Sequence, residues 1–315
     1  MDWTDRVGRR IKLRDLHILL AVTQFGSMGR ASSELGISQP VISKAIADLE
    51  HALRIKILDR SPQGVEPTMY GRALIRCGMA VFDDLRRGVK EVEFLSDPTA
   101  GELRIGCTEP LAAGLVSAIV GRLSQKYPRA EFHVVPGDTL SLQNRELRQH
   151  NIELAIVPTT GLAPERDVSI EIVFDDFHVI MAGNESKWTR RRKIKLADLL
   201  NETWILPPPN TTSGDYVAET FRHAGCEPPR AHVVSFSIPL HQHMLATGRF
   251  VTSLPRSLLQ FASHLSLRKL AVDMPALARP VGIMTLTNRA LSPLAQLFVD
   301  QIRVEVKALR TAGSA

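Results

Sequence analysis

Residues Ser27 to Arg54 read SMGRASSELGISQPVISKAIADLEHALR, and this stretch decides the fold of the first part of the chain. Its grammar is two short helices joined by a tight turn. Ser27 is a fitting N-cap for the first, because a serine hydroxyl can accept from the free N–H groups of an opening turn. Met28, Ala31 and Leu35 give that helix an apolar side. Gly36 stands where it should stop, since glycine accepts positive φ without strain. Ser38 caps the second helix, and Pro40 falls in its first turn, where a missing N–H costs nothing. Val41, Ile42, Ala45, Ile46, Leu49 and Leu53 form its buried stripe. Gln39, Ser43, Lys44 and Asp48 are left on the opposite face. A helix packed on one side and polar at its N-terminal end can lie in a DNA major groove and offer polar side chains to base edges. A plain helical hairpin has the same periodicity, so the pattern alone leaves both readings open.

The segment ASSELGISQPVISKAIADLE is similar to the DNA-binding motif of LysR-type transcriptional regulators. The next stretch, LDRSPQGVEPTMYG (Leu58 to Gly71), resembles the wing and the start of the linker helix of that family. The second match is the more diagnostic, because it lies outside the shared helix-turn-helix pattern. The resemblance implies that Gln39, Ser43 and Lys44 read bases. It implies that Ser27 and Arg30 hold phosphates, with Ser38 and Pro40 in the same contact surface, and that Arg60, beside the wing turn, meets a phosphate or the minor groove rather than standing as a solvated turn arginine. Ile42 and Lys44 stand where the family varies, which implies a part in operator choice.

The whole chain has 315 residues, enough for two or three domains with a sizeable core. Its net charge is +6, yet residues 1–60 hold ten Lys/Arg against seven Asp/Glu, so charge supports a nucleic-acid partner only weakly. Three cysteines, Cys77, Cys107 and Cys226, are widely separated and lack a CxxC pair, which argues against a disulfide framework or a zinc site. No stretch approaches the length of a transmembrane helix and the N-terminus has no leader-like apolar run, so a cytoplasmic location with no membrane partner is expected.

Leu13 to Phe25 reads as a helix behind the helix-turn-helix, and Ile55 to Val65 as a small hairpin around a turn-rich centre. Thr68 to Leu95 reads as one long helix. Leu74, Gly78, Val81, Leu85, Gly88, Val92 and Leu95 alternate spacings of four and three, a heptad seam. The seam either dimerises, as the family resemblance implies, or packs on its own DNA-binding domain. Ser96 to Gly101 breaks the helix. From Glu102 strands and helices alternate with short connections, and a mostly parallel sheet is expected. Ser169 to Ala182 supplies strand that crosses into a second subdomain, and the last strand and helix return to the first. Together with the resemblance this gives an α/β fold. A winged helix-turn-helix domain is expected at 1–67 and a linker and hinge at 68–100. A two-lobed, periplasmic-binding-protein-like effector domain should fill 101–315, lobe I at about 101–170 and 274–315, lobe II at about 171–273.

Ligands in open α/β sheets bind off the carboxyl ends of strands. Thr108 and Glu109 follow the first such strand, Pro207 to Ser213 (PPPNTTS) follow Trp204-Ile205-Leu206, and Ser253 follows Phe250 to Thr252. Pro207, Asn210, Thr211, Thr212 and Ser213 precede a helix whose free N–H groups suit an anion; plain N-capping by Thr212 or Ser213 is the competing reading. Phe236 and Ile238 would cover the ligand. His241 and His243, two apart on a helix, point away from each other and read as a surface pair, with no metal site. Arg190 to Lys193 reads as a solvated basic face, with a secondary DNA or partner contact as the other reading. No P-loop, Rossmann fingerprint or nucleophile elbow is present, and no cofactor is expected.

The expectation is therefore a LysR-type regulator, not an enzyme. Its partners would be double-stranded DNA, a small-molecule effector (a carboxylate or sugar acid between the lobes, with a neutral sugar as the main alternative) and other copies of itself. It would dimerise through the linker helix and form a tetramer through the effector domains, with RNA polymerase a further candidate partner. The rival is an α/β enzyme or a sugar- or solute-binding protein with an accessory DNA-binding module.

Overall fold

The computed structural model describes residues 10–61, 64–97, 100–163, 165–261, 267–275 and 277–312; the side chains of Arg60, Ser61 and residues 308–312 lie outside that description. So do Pro62 and Gln63 of the expected wing turn, and Pro98 and Thr99 of the expected hinge. The chain forms two compact units, Met1–Val89 and Lys90–Ala315.

In the first unit α1 (Leu13–Phe25), α2 (Met28–Leu35) and α3 (Gln39–Leu53) are followed by an antiparallel hairpin, β1 (Leu58–Ser61) with β2 (Gly64–Pro67). Ile18, Leu19, Val22, Ala31, Ile42, Ile46, Leu49 and Ile57 make one buried cluster. Gly26 and Gly36 end α1 and α2 in the left-handed region at φ 64° and 65°, as a C-cap glycine should. Glu50 Oε1 accepts from the backbone N–H groups of Ile57 and Leu58, tying the end of α3 to the hairpin.

The long helix α4 (Met69–Ser96) begins in this unit. Leu74 packs on the unit's core, and Gly78 is buried against Leu16 and Leu20 of α1. The opening positions of the heptad seam are therefore taken by the chain's own first domain. Leu85, Val92 and Leu95 further along are exposed, at 46%, 63% and 74%.

The second unit holds two five-stranded sheets. The first has the order β4-β3-β5-β12-β6 and consists of Arg129–Pro136, Ala100–Cys107, Leu154–Pro158, Arg279–Leu286 and Val168–Asp176. The second has the order β11-β7-β10-β8-β9 and consists of Leu267–Lys269, His178–Gly183, Phe250–Pro255, Thr203–Leu206 and Ala231–Val234. Helix α5 runs through Glu109–Leu111, a π-helical segment Ala112–Val116 and Ser117–Lys126. Among the described residues, the further helices are α6 (Thr139–Ser141 and Leu142–Leu147), α7 (Thr212–His223), α8 (Ile238–Ala246), α9 (Arg256–Phe261) and α10 (Pro293–Ala312), with two short 3-10 turns at Lys187–Arg190 and Leu196–Leu199. Leu103, Ile105, Ile156, Ile283, Leu115, Ile119, Phe298 and Ile302 bury one face of the first sheet under α5 and α10. Trp204, Val217, Phe221 and Val251 do the same between the second sheet and α7.

The chain passes from the first sheet to the second at Phe177, inside the stretch Ser169 to Ala182, and returns before Arg279. In each sheet one strand runs against its neighbours. β12 is antiparallel to both β5 and β6, and β7 is antiparallel to both β10 and β11. These are the first strands after each crossing. Their N-terminal residues, Arg279 and His178, therefore come out at the edge where the parallel strands end.

Candidate functional site

That edge bounds a cavity of about 210 Å³ between the two sheets. Of the residues expected from sequence, Thr108, Glu109, Pro207, Ser213, Phe236 and Ser253 line it. Asn210, Thr211, Thr212 and Ile238 do not. Asn210 makes a left-handed turn at φ 59° and is exposed. Thr211 is the N-cap of α7: its hydroxyl donates to Pro208 O at 2.7 Å and accepts from Gly214 N at 3.1 Å, so it is spent on the turn. The expected capping by Thr212 or Ser213 is thus replaced by Thr211. A Cβ on Gly214 would lie 2.3 Å from Pro208 O, so only glycine lets this loop fold back so closely. Ile238 belongs to the core with Ile205, Leu245 and Leu254.

The centre of the cavity wall is a buried polar group that the sequence reading missed. Arg279 is 3% exposed. Its Nη1 donates to His178 Nε2 at 3.1 Å and its Nη2 to Ser213 Oγ at 2.9 Å. A guanidinium has no acceptor, so Nε2 of His178 must be unprotonated and its Nδ1–H donates to Ser253 Oγ at 3.1 Å. Burial first, and then the Arg279 charge, holds the His178 pKa well below the ordinary histidine value, so the ring is neutral. The guanidinium also stacks 5.0 Å from the ring centroid of Tyr216, whose hydroxyl donates to Leu277 O.

Desolvation lowers the Arg279 pKa to about 10, which leaves it charged at neutral pH. Among the described residues it has no ion pair, and its Nε has no hydrogen-bond partner. Asp176, opposite Arg279 in the strand register, offsets part of the charge, but its oxygens already accept from Phe177 N, Ser257 N and Ser257 Oγ. A buried cation whose charge is only partly offset is costly, and an anion in the cavity would offset it.

His241 is buried rather than on the surface as expected. It lines the cavity, with Nε2 3.1 Å from Ser235 O and Nδ1 3.2 Å from Thr252 Oγ1. Its partner in the expected pair, His243, is exposed. Among the described residues no group of three His, Cys, Asp or Glu could hold a metal ion, and no helix is long and apolar enough to cross a membrane. Cys107, Cys77 and Cys226 are free thiols; burial pushes Cys107 up to about 12. Arg190, Arg191, Arg192 and Lys193 are exposed.

In the first unit the structure places Ser38, Gln39, Pro40 and Lys44 exposed at the start and along one face of α3. Ser43 is half-buried, with its hydroxyl against Met28 Sδ. Ser38 stands at the cap position but makes no side-chain cap hydrogen bond. Ser27 does cap α2, accepting from Arg30 N, and Arg30 is exposed. Ile42 is fully buried, so it cannot reach a base edge; the sequence reading that gave it a part in operator choice is corrected. The Arg60 side chain is outside the described residues.

Residues 13–72 match the family model described as bacterial regulatory helix-turn-helix protein, lysR family, and residues 96–307 match the LysR substrate binding domain. The HTH-type transcriptional regulator GbpR of Azospirillum brasilense is 29% identical over 93% of this chain and 86% of its own. The transcriptional dual regulator GltC of Bacillus subtilis is 23% identical over 92% and 96%. Among solved structures, a full-length OxyR variant from Pseudomonas aeruginosa superposes with a TM-score of 0.63, at 22% identity over 93% of this chain and 94% of that one. Full-length CbnR in complex with its target DNA gives 0.53, at 20% identity over 94% and 99%.

Proposed function

The chain belongs to the LysR family of DNA-binding transcriptional regulators, with an effector-binding domain behind its helix-turn-helix, and from that premise we propose that its effector is a small carboxylate bound in the cavity between the two sheets. A sugar acid is among the candidates. One observation carries the proposal: Arg279 is a buried guanidinium in the cavity wall with no carboxylate in ion-pair contact among the described residues. Arg279 belongs to the first sheet, and its partners His178 and Ser213 to the second sheet and to α7. A ligand that meets the guanidinium therefore touches groups from both lobes. It favours one relative arrangement of the lobes over another, and a ligand shifts an equilibrium only through such differential contact. Thr108, Ser213 and Ser253 supply hydrogen bonds around the anion.

In this proposal Gln39, Ser43 and Lys44 read base edges from α3, while Ser27, Arg30 and Arg60 hold phosphates, with Ser38 and Pro40 at the same face. The exposed apolar residues of α4 pair two copies, effector domains join dimers into a tetramer, and RNA polymerase is a further partner. The protein acts in the cytoplasm, where its DNA is. The enzyme reading loses its basis, since the relatives are transcriptional regulators.

The test is a footprint of the full-length protein on the DNA upstream of its own and its neighbouring genes, with and without a panel of small carboxylates. A protected operator whose pattern changes with a carboxylate is the expected result. Protection that no carboxylate alters, but a neutral sugar does, overturns the effector assignment.

A further inference from the structure

The cavity has a lopsided charge. Among its described lining residues Arg279 is the one Lys or Arg, whereas Glu109, Asp138 and Asp176 are carboxylic acids. His178 is neutral, because its Nε2 accepts from Arg279. Asp138 caps α6, accepting from Leu140 N and Ser141 N, and these hydrogen bonds favour its ionised form. Asp176 is engaged by Ser257 and Phe177. Glu109 is different. It opens α5 at the carboxyl end of β3, it is half-buried, and no hydrogen bond or ion pair to its carboxylate is found among the described residues.

A carboxylate with unused lone pairs and an incompletely paired guanidinium thus face one small space. We infer that the effector carries a single carboxylate, taken by Arg279, together with hydroxyl or amine donors that Glu109 accepts, and that Glu109 excludes ligands with a second acid. This rests on the carboxylate reading above and narrows it to donor-rich mono-acids. The physical reason is that a second carboxylate would find no second Lys or Arg among the described lining residues and would meet Glu109 and Asp138 in a partly desolvated space, where like charges repel strongly. A hydroxyl donated to an ionised carboxylate makes a charge-assisted hydrogen bond instead. Ser235, Ser253 and Thr108 add groups that both donate and accept, so a chain of hydroxyls can be matched along the cavity.

Calorimetric titration of the full-length protein with matched pairs tests this. The probes are threonate against tartrate, xylonate against xylarate and gluconate against glucarate, with glucose as the neutral control. A mono-acid should bind at least tenfold tighter than its paired diacid. In Glu109→Gln, which keeps the shape and removes the charge, that ratio should fall toward one through a gain for the diacid. Thermal melting of each variant reports folding separately. A diacid that binds wild type as tightly as its mono-acid overturns this inference and leaves the carboxylate reading standing. A preference for the mono-acid that is unchanged in Glu109→Gln overturns the role of Glu109. Failure of every acid to bind overturns the carboxylate reading itself, and this narrowing with it.

Discussion

Arg279 and His178 are the first residues of β12 and β7, the strands that run against their sheets, and they meet: guanidinium Nη1 lies 3.1 Å from imidazole Nε2. The contact joins the two lobes and fixes His178 in its neutral form. A first prediction follows from the proton. The folded-state pKa values of His178 and His241 are lowered by burial, while in the unfolded chain both titrate near about 6.5. As pH falls below that value the unfolded chain gains protons that the fold resists, so stability present at neutral pH is lost on acidification. The slope is at most roughly 1.4 kcal/mol per pH unit for each histidine. Asp176, whose pKa burial raises, acts in the opposite sense. The comparison is therefore between wild type and His178→Gln, by urea unfolding from about pH 7 to about pH 5. The variant should show the shallower loss; parallel curves would remove His178 from the account.

A second prediction concerns DNA. Gln39 is exposed at the N-terminus of α3, where a recognition helix contacts base edges. Gln39→Ala should cost about 1–3 kcal/mol on the operator and relax preference at one position in each half-site. Ile42→Val, by contrast, should leave sequence preference unchanged, because Ile42 is buried in the core. Binding to a library of single-base operator variants checks both. Equal loss on specific and random DNA for Gln39→Ala would refute the base contact.

The third prediction is about the join between hairpin and long helix. A Cβ on Gly71 would stand 2.1 Å from Ile57 O, and that atom is backbone. Gly71→Ala should therefore destabilise the first unit by about 1–3 kcal/mol. Gly78→Ala, whose Cβ would meet only side-chain atoms of Leu20 and Leu16 at ordinary distances, should be tolerated. Thermal unfolding read by circular dichroism distinguishes them, and equal melting temperatures for both variants would contradict the packing described.

A fourth prediction separates the two halves of the seam. Leu85→Glu places a charge where an exposed leucine is proposed to meet a second copy. Sedimentation of the variant should show a smaller assembly than wild type. An unchanged assembly would confine the seam's role to the contacts Leu74 and Gly78 make within their own unit.

Much of the architecture is legible in the sequence because its signals are local. The cap Ser27 and the stop Gly36 act within their own turn, one through its side chain and the other through its backbone freedom. Alternating apolar runs mark the strands and helices to within a few residues. The cavity is only half legible. Thr108, Glu109, Ser213 and Ser253 follow from the rule that ligands sit at the carboxyl ends of parallel strands. Arg279 and His178 escape that rule because they begin antiparallel strands, and strand direction after a crossing is a long-range property of the sheet. Thr211 and Thr212 mislead for the opposite reason: three hydroxyls in a row all look available, and only the fold shows that Thr211 is consumed in capping. An arginine opening the apolar run Pro280 to Met284, ARPVGIM, is the one local signal that could have drawn attention to the cavity wall.

The central claim is that a carboxylate acts through Arg279, and one measurement addresses it most directly. The operator footprint is titrated with the best-binding carboxylate from the panel, for wild type and for Arg279→Gln, and the ligand concentration giving half the change is read for each. Loss of a charge-assisted, buried contact of about 1.5–3 kcal/mol should raise that midpoint roughly tenfold or more in the variant. A variant that responds at the wild-type ligand concentration would contradict the claim.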